Sequence, residues 1–314
     1  MKEANILIPL IKSYYASLLK PEDYQLLLNL NSVTEVLEYL MTTQYLQVLN
    51  VSTLHREEIE KRLKNYHATN LKRLENLVYG QKRQFIYLFL LRDDLNNFIS
   101  LIKTKVQSFI FYDEKLNVKM DDSLSNILES IKTTAVGQII KQALILGTFE
   151  ELVAKVDNYY FNYVFKQINT LYRGALRNSL LSGLRDWVVA HNLKLIYRMK
   201  KYNYDITRES LVYINADQVN SVTNKLREIS LSEMPETKYF LSSKGKDLNL
   251  LVEHIDSIYK FNYSHKNLRT VSSIEELFLA IFLLAKIEIN NIIHIIEGKR
   301  YKLNLVSLDP LLVY

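Results

Sequence analysis

SIEELFLAIFLLAKIEINNIIHIIEGKR, from Ser273 to Arg300, is the stretch that sets the fold class. Ser273-x-x-Glu276 has the form of a capping box, in which a hydroxyl and a glutamate satisfy the free amide donors of a first helical turn. The apolar run Leu277 to Ala285 follows, closed by Glu276 and Lys286. Its length falls well short of the ~20 residues a bilayer-spanning helix needs. Beyond it, Glu288, Asn290, Asn291, His294 and Glu297 interrupt the isoleucines at helical spacing. Lys299 and Arg300 close the stretch where cations suit a helix dipole. One long helix over 273–300 is predicted.

Similar signals recur upstream. Residues 3–19 read as a helix with the stripe Ile6, Leu10, Ile11, Tyr14 and Leu18, and Pro21 with Glu22 and Asp23 starts another. Long helices are expected over 55–79 and 81–109, interrupted at Gly80. Helices resume near 123–145, and after Gly147 one runs from Thr148 to about Tyr172 along Leu152, Val156, Tyr160, Val164 and Ile168. Another spans about 176–201, with shorter ones at 207–214, 216–229 and 247–260. A polar connection covers 110–122, and Pro235, Ser242-Ser243 and Gly245 mark a loop over 231–246.

Composition agrees. The 314 residues are 48% hydrophobic and 24% charged, which suits a folded chain. Only 7 glycines and 4 prolines are too few breakers for a many-stranded sandwich or barrel. The class read is all-α. With no cysteine, disulfides, thiolate zinc sites and cysteine nucleophiles are excluded. The opening Met1-Lys2-Glu3-Ala4-Asn5 does not read as a targeting segment, so the chain is expected to be soluble or peripheral to a membrane.

The capping boxes Ser32-x-x-Glu35, Thr148-x-x-Glu151 and Ser273-x-x-Glu276 suggest repetition. A second element recurs as Asn97-x3-Leu101-x3-Lys105, Asn192-x3-Ile196-x3-Lys200 and Asn291-x3-Ile295-x3-Lys299. Steps of four keep each set on one helical stripe. Three related helical subdomains are expected, near 1–112, 113–215 and 216–314, stacked linearly or closed partway around an axis with a central hollow.

Catalytic signatures are missing. The sequence holds no G-x-x-x-x-G-K-[ST], G-x-G-x-x-G or H-E-x-x-H. His55, His67, His191, His254, His265 and His294 lack metal-ligand spacing and read as surface or helix-packing residues. The acidic pairs Glu57-Glu58, Asp93-Asp94, Asp121-Asp122, Glu150-Glu151 and Glu275-Glu276 show no sign of converging in a cleft, and the last two mark helix starts. No cofactor and no metal are expected. The net charge of +6 and the basic-aromatic segment Lys194–Tyr204 leave a nucleic-acid-binding reading as an alternative. Against it, charge is spread along the chain, and long basic side chains also cover apolar neighbours.

Three blocks carry a family resemblance. The first comprises Tyr15-Ala16, Leu18-Leu19, Pro21-Glu22-Asp23-Tyr24, Ser32-x2-Glu35-Val-Leu-x2-Leu40 and Thr42-x2-Tyr45. The second is Leu152-x4-Asp157-x2-Tyr160-Phe161. The third is Glu288-x2-Asn291-Ile-Ile-x-Ile-Ile-x-Gly298-Lys-Arg-Tyr301. In order and at this length, the chain resembles the C subunit of bacterial and archaeal V/A-type rotary ATPases, whose eukaryotic counterpart is the d subunit. The resemblance implies a non-catalytic, funnel-shaped helical subunit on the cytoplasmic face of the membrane rotor ring of c/K/L-type proteolipids. Its hollow would receive the central stalk of D and F subunits and pass torque between ATP chemistry and proton or sodium transport. Lys103 and His294 depart from the more basic versions of the family, and the apolar tail Leu303–Tyr314 receives no role. A polar lining would dock a stalk by electrostatic complementarity. The candidate contacts to stalk or ring are Arg92, Asp94, Asn97, Lys200, Glu288, Asn291, His294 and Arg300.

Overall fold

The computed structural model describes residues 2–49, 55–104, 111–113, 116, 124–144, 149–206, 211–214, 217–228, 248–270, 273–304 and 308–314. Among them there is no strand. The helices are α1 (Lys2–Ser17), α2 (Pro21–Asn29), α3 (Val33–Met41), α4 (Arg56–Asn76), α5 (Gly80–Thr104), α6 (Leu124–Ser130), α7 (Ala135–Leu144), α8 (Phe149–Leu171), α9 (Gly174–Lys201), α10 (Asp217–Glu228), α11 (Leu248–Thr270) and α12 (Ile274–Arg300). The chain groups into two compact units. One holds residues 1–83, 244–250 and 257–314; the other holds 84–243 and 251–256.

In the first unit α12 is central and packs on α1, α3 and α4. The serine half of the expected box is present, with Ser273 Oγ accepting from Glu276 N–H at 3.2 Å, while the Glu276 carboxylate takes the Ser273 hydroxyl at 2.6 Å. Ser32 caps α3 in the same way, but the Glu35 carboxylate reaches back to Asn31 N–H at 2.8 Å rather than to Ser32. The Thr148 box lies outside the described residues, as do Lys105 and the loop 231–246. Among the described residues α12 alone is long and apolar enough to cross a membrane, and 83% of its most apolar window is buried within the protein. Counting the uninterrupted run stops at Lys286, whereas the helix continues to Arg300. Its C-terminal isoleucines, Ile289 to Ile296, pack in one cluster with Leu27, Val36, Leu40 and Leu63, and with Leu308 and Leu312 from the tail.

The face of α1 differs from the sequence reading. Leu7, Ile11, Tyr14 and Leu18 are buried, while Ile6 and Leu10 are 58% and 41% exposed. Adjacent apolar residues at 6–8 and 10–11 allow two helical stripes, and contact with α12 and α4 selects the second.

The second unit is built on an aromatic centre. Phe85 and Phe89 of α5 meet Tyr172 and Trp187, and Phe161 of α8 stands edge-on to Trp187. Val156, Tyr160, Val164 and Ile168 form the buried stripe expected for α8. The expected helix material at 123–145 is divided between α6 and α7. In the first turn of α7 Gly137 is required, because a Cβ would lie 2.1 Å from the carbonyl oxygen of Ile131 in the connection before it. The helix expected at 207–214 is not formed in its described part. Residues 211–214 are non-helical, because asparagine side chains take the backbone groups of Val212 and Tyr213. α11 runs to Thr270, ten residues beyond the expected end at 260.

Candidate functional site: buried clamps and exposed helix ends

The recurring asparagine is a clamp. In α12, buried Asn291 donates from Nδ2 to the Val313 carbonyl at 2.8 Å and accepts the Val313 N–H at 3.1 Å. In α9, buried Asn192 donates to the Val212 carbonyl at 2.7 Å and accepts the Val212 N–H at 2.9 Å, with Thr223 Oγ1 at 3.0 Å. Each amide imitates a backbone pair and satisfies both polar groups of a chain returning 20 or 22 residues later. The helix ends match as well. Asn203 and Lys302, each eleven residues after its asparagine, adopt φ of 54° and 56°. Tyr204 N–H then bonds the Met199 carbonyl, and Leu303 N–H bonds the Gly298 carbonyl, both at 2.8 Å. These are the long bonds of a Schellman close, at the same offset in both copies. The repeat read from Asn-x3-Ile-x3-Lys is therefore a structural repeat in the two copies described this fully.

The eight candidate residues occupy different surroundings. In the second unit, Asp94 is 0% exposed and accepts the backbone N–H groups of Tyr112 and Asp113 at 2.7 and 3.0 Å. Burial pushes its carboxyl up to about 7 against those two bonds. Arg92 pairs with Asp157 at 3.0 Å and lies within 5.1 to 5.6 Å of the Tyr160, Phe161 and Trp187 ring centres. His191 Nε2 lies 3.2 Å from the other carboxylate oxygen of Asp157. Asn97 is partly buried on α5. Lys200, at the end of α9, is partly buried, and desolvation lowers its pKa.

In the first unit, Glu288 and Asn291 are 3% and 2% exposed. His294 Nδ1 faces the Leu311 carbonyl at 3.2 Å, so Asn291 and His294 meet on the C-terminal tail. Arg300 is exposed at the end of α12 and bonds Glu297 at 3.0 Å. Its neighbour Lys299 reaches the Leu28 carbonyl at 2.6 Å. The segment Lys194–Tyr204 splits: Ile196 and Tyr197 are core, whereas Tyr202 and Tyr204 are 60% and 68% exposed, with Lys201 Nζ 5.2 Å from the Tyr202 ring centre.

Glu288 belongs to a buried network that sequence reasoning missed. Its Oε2 accepts Leu19 N–H at 2.6 Å, and Oε1 accepts Gln44 Nε2 at 2.7 Å and the Tyr45 hydroxyl. Tyr45 OH also lies 2.8 Å from His67 Nε2, and Tyr14 OH bonds His67 Nδ1. Burial, and then the charge of Lys286, hold His67 down to about 3, so it is neutral at ordinary pH. Burial pushes Glu288 up to about 7 despite its three donors. His67 lies on the stripe Ile59, Leu63, His67, Leu71 and Leu74, four residues from a leucine on either side. That position was the available signal that this histidine faces the core.

Residues 7–305 match the family described as ATP synthase (C/AC39) subunit. The chain belongs to that family. A search of curated proteins returns no match. A member of this family is a subunit of an ATPase complex that is associated with a membrane. The first and third of the blocks that suggested it in the sequence meet in the first unit, where Tyr45 donates to Glu288.

Proposed function

We propose that this C/AC39 subunit is a non-catalytic rotor socket. It couples a central stalk of D and F subunits to the membrane rotor ring and transmits torque for proton or sodium transport, on the cytoplasmic face of the membrane. In this reading three related helical subdomains, near 1–112, 113–215 and 216–314, form a funnel whose hollow takes the stalk. The observation that carries it is the family match over nearly the whole chain. The clamps add support. Directional buried bonds hold each returning segment to its long helix, as a part that must not slip under load requires.

The eight candidates divide by exposure. Asp94, Glu288 and Asn291 hold the shape from inside, and Arg92 joins α5 to α8. Lys200 and Arg300 at the helix ends, with Asn97 and His294, are the residues we assign to partner contact. A calorimetric titration of the chain with a purified D–F stalk, at two salt concentrations, tests this. Saturable one-to-one binding, weakened several-fold by Lys200→Glu or Arg300→Glu, is expected. A folded chain that ignores the stalk both alone and on the rotor ring, yet binds RNA or DNA with a steep salt dependence, would overturn the reading. The exposed Tyr202 and Tyr204 beside Lys201 would then be the surface to mutate.

A further inference from the structure

The chain Tyr14–His67–Tyr45–Glu288 has an unusual proton inventory. Tyr45 carries one proton and stands between His67 Nε2 and Glu288 Oε1. When Glu288 is ionised it only accepts, so Tyr45 must donate to it. The Tyr45 oxygen then accepts from His67 Nε2–H. His67, neutral and with its proton on Nε2, accepts on Nδ1 from the Tyr14 hydroxyl. Every bond points toward Glu288. When Glu288 is protonated, each bond can point the other way: Glu288 donates to Tyr45, Tyr45 to His67 Nε2, and His67 Nδ1–H to Tyr14. The four side chains stay hydrogen-bonded to one another in both states, and in the second the Tyr14 hydroxyl turns its proton away from His67.

We propose that Glu288, Tyr45, His67 and Tyr14 form a proton-operated relay, in which uptake of one proton reverses every hydrogen bond and moves the ring proton of His67 from Nε2 to Nδ1. One proton enters from solution and none leaves. The transfers balance when Tyr14 gives its proton to His67 Nδ1, His67 gives the Nε2 proton to Tyr45, Tyr45 gives its own to Glu288, and the proton from solution replaces the one lost at Tyr14. The Glu288 end borders a cavity of 310 Å³ that is also lined by Lys20, Tyr24, His265 and Tyr314. Asp23 and Tyr24 from α2, Tyr66 and Asn70 from α4 and Lys286 on α12 itself also face it, with the Asn70 side chain bonding Tyr14.

Protonation has a mechanical consequence. A protonated Oε1 donates to Tyr45 and becomes a poor acceptor, so Gln44 loses its bond to Glu288. Gln44 also accepts from Ser17 Oγ at 2.9 Å and from Tyr66 OH at 3.2 Å. The relay thus makes the junction of α1, α4 and α12 respond to pH. Asp94 in the second unit is a natural contrast, because its described donors are backbone N–H groups, which cannot reverse.

Nitrogen NMR of the full chain carrying 15N-histidine tests this from about pH 5.5 to about pH 8.5. The His67 signals, assigned by their loss in His67→Gln, should show Nε2–H at high pH and Nδ1–H at low pH, with the exchange centred near 7. Glu288→Gln should abolish the exchange. Tyr45→Phe, which removes one hydroxyl from a buried ring, should leave His67 in a single tautomer at all pH values. A His67 that keeps one tautomer throughout in the wild-type chain, or that protonates on both nitrogens in this range, would overturn the proposal. So would a tautomer exchange that survives Tyr45→Phe.

Discussion

Replacing Asn291 by alanine removes two buried hydrogen bonds and orphans the Val313 N–H and carbonyl. Two responses are open to the tail. It can stay in place with both groups unpaired, at about 1–3 kcal/mol each. Alternatively it can detach, exposing Leu312 and Val313, which are 0% and 6% exposed and are worth about 1.5–3 kcal/mol apiece when buried. Both routes cost about 2 kcal/mol or more, so relaxation gives no cheap escape. Urea unfolding should show that loss, and the Val313 amide should exchange more than tenfold faster, since 1.4 kcal/mol is about a factor of ten. Asn291→Asp separates the two halves of the clamp. It keeps an acceptor for Val313 N–H but loses the donor to the carbonyl, so its deficit should shrink on acidification, when the carboxyl regains a proton. Asn192→Ala should reproduce the pattern at Val212. A stability change below about 0.5 kcal/mol, with Val313 protection intact, would refute the claim that the clamp holds the tail, since that is the range of inert surface changes.

Three further outcomes are expected. The folded-state pKa of Glu288, about 7, lies above its ordinary value of 4.5. The folded chain therefore keeps a proton that the unfolded chain has lost, and stability falls as pH rises from about 4.5 to about 7 by on the order of 3 kcal/mol. Glu288→Gln should flatten that part of the slope in urea titrations at several pH values and leave the parallel contribution of Asp94. Gly298→Ala would place a Cβ 2.4 Å from Leu308 Cδ1, so a loss of about 1–3 kcal/mol is expected from overpacking. Adding Leu308→Val should recover part of it in a double-mutant cycle. Arg92→Met keeps contact with the three rings but abandons Asp157, and a Tm drop with loss of the α5–α8 tie is expected. An unchanged Tm would show that the pair offsets only its own desolvation.

Helix positions were legible because the spacing of apolar residues is a local property. Faces were less so. In α1, two stripes satisfy the helical period, and only α12 and α4 distinguish Leu7 from Ile6. The segment 211–214 looked helical because its apolar residues suit a helix. Nothing local shows that Asn192, Asn158 and Asn162 take its backbone groups. Glu288 and Asn291 stood out as polar residues on an apolar helix. Their partners, however, are 243 and 22 residues away, and the chemistry they perform depends on those partners. His67 read as a surface or helix-packing residue, and its place on the leucine stripe decides for packing; its partners Tyr14 and Tyr45 are 53 and 22 residues away and leave no local signal.

The repeat explains why these polar groups tolerate burial. An apolar contact is nearly indifferent to sliding, because hydrophobic burial has no direction. A two-point amide clamp fixes both register and orientation, since each bond weakens steeply when misaligned. Asn192 and Asn291 sit at the same place relative to their helix closes, at Tyr204–Met199 and Leu303–Gly298. The returning chain is thus anchored nine and eleven residues after the left-handed residues Asn203 and Lys302 that end each helix. At the position three residues before each asparagine the copies diverge: Asp94, Val189 and Glu288. The asparagine serves the shared architecture, and the variable position is free to acquire a separate task. In α5 the carboxylate caps two backbone amides, and in α12 it ends a hydrogen-bonded chain able to carry a proton.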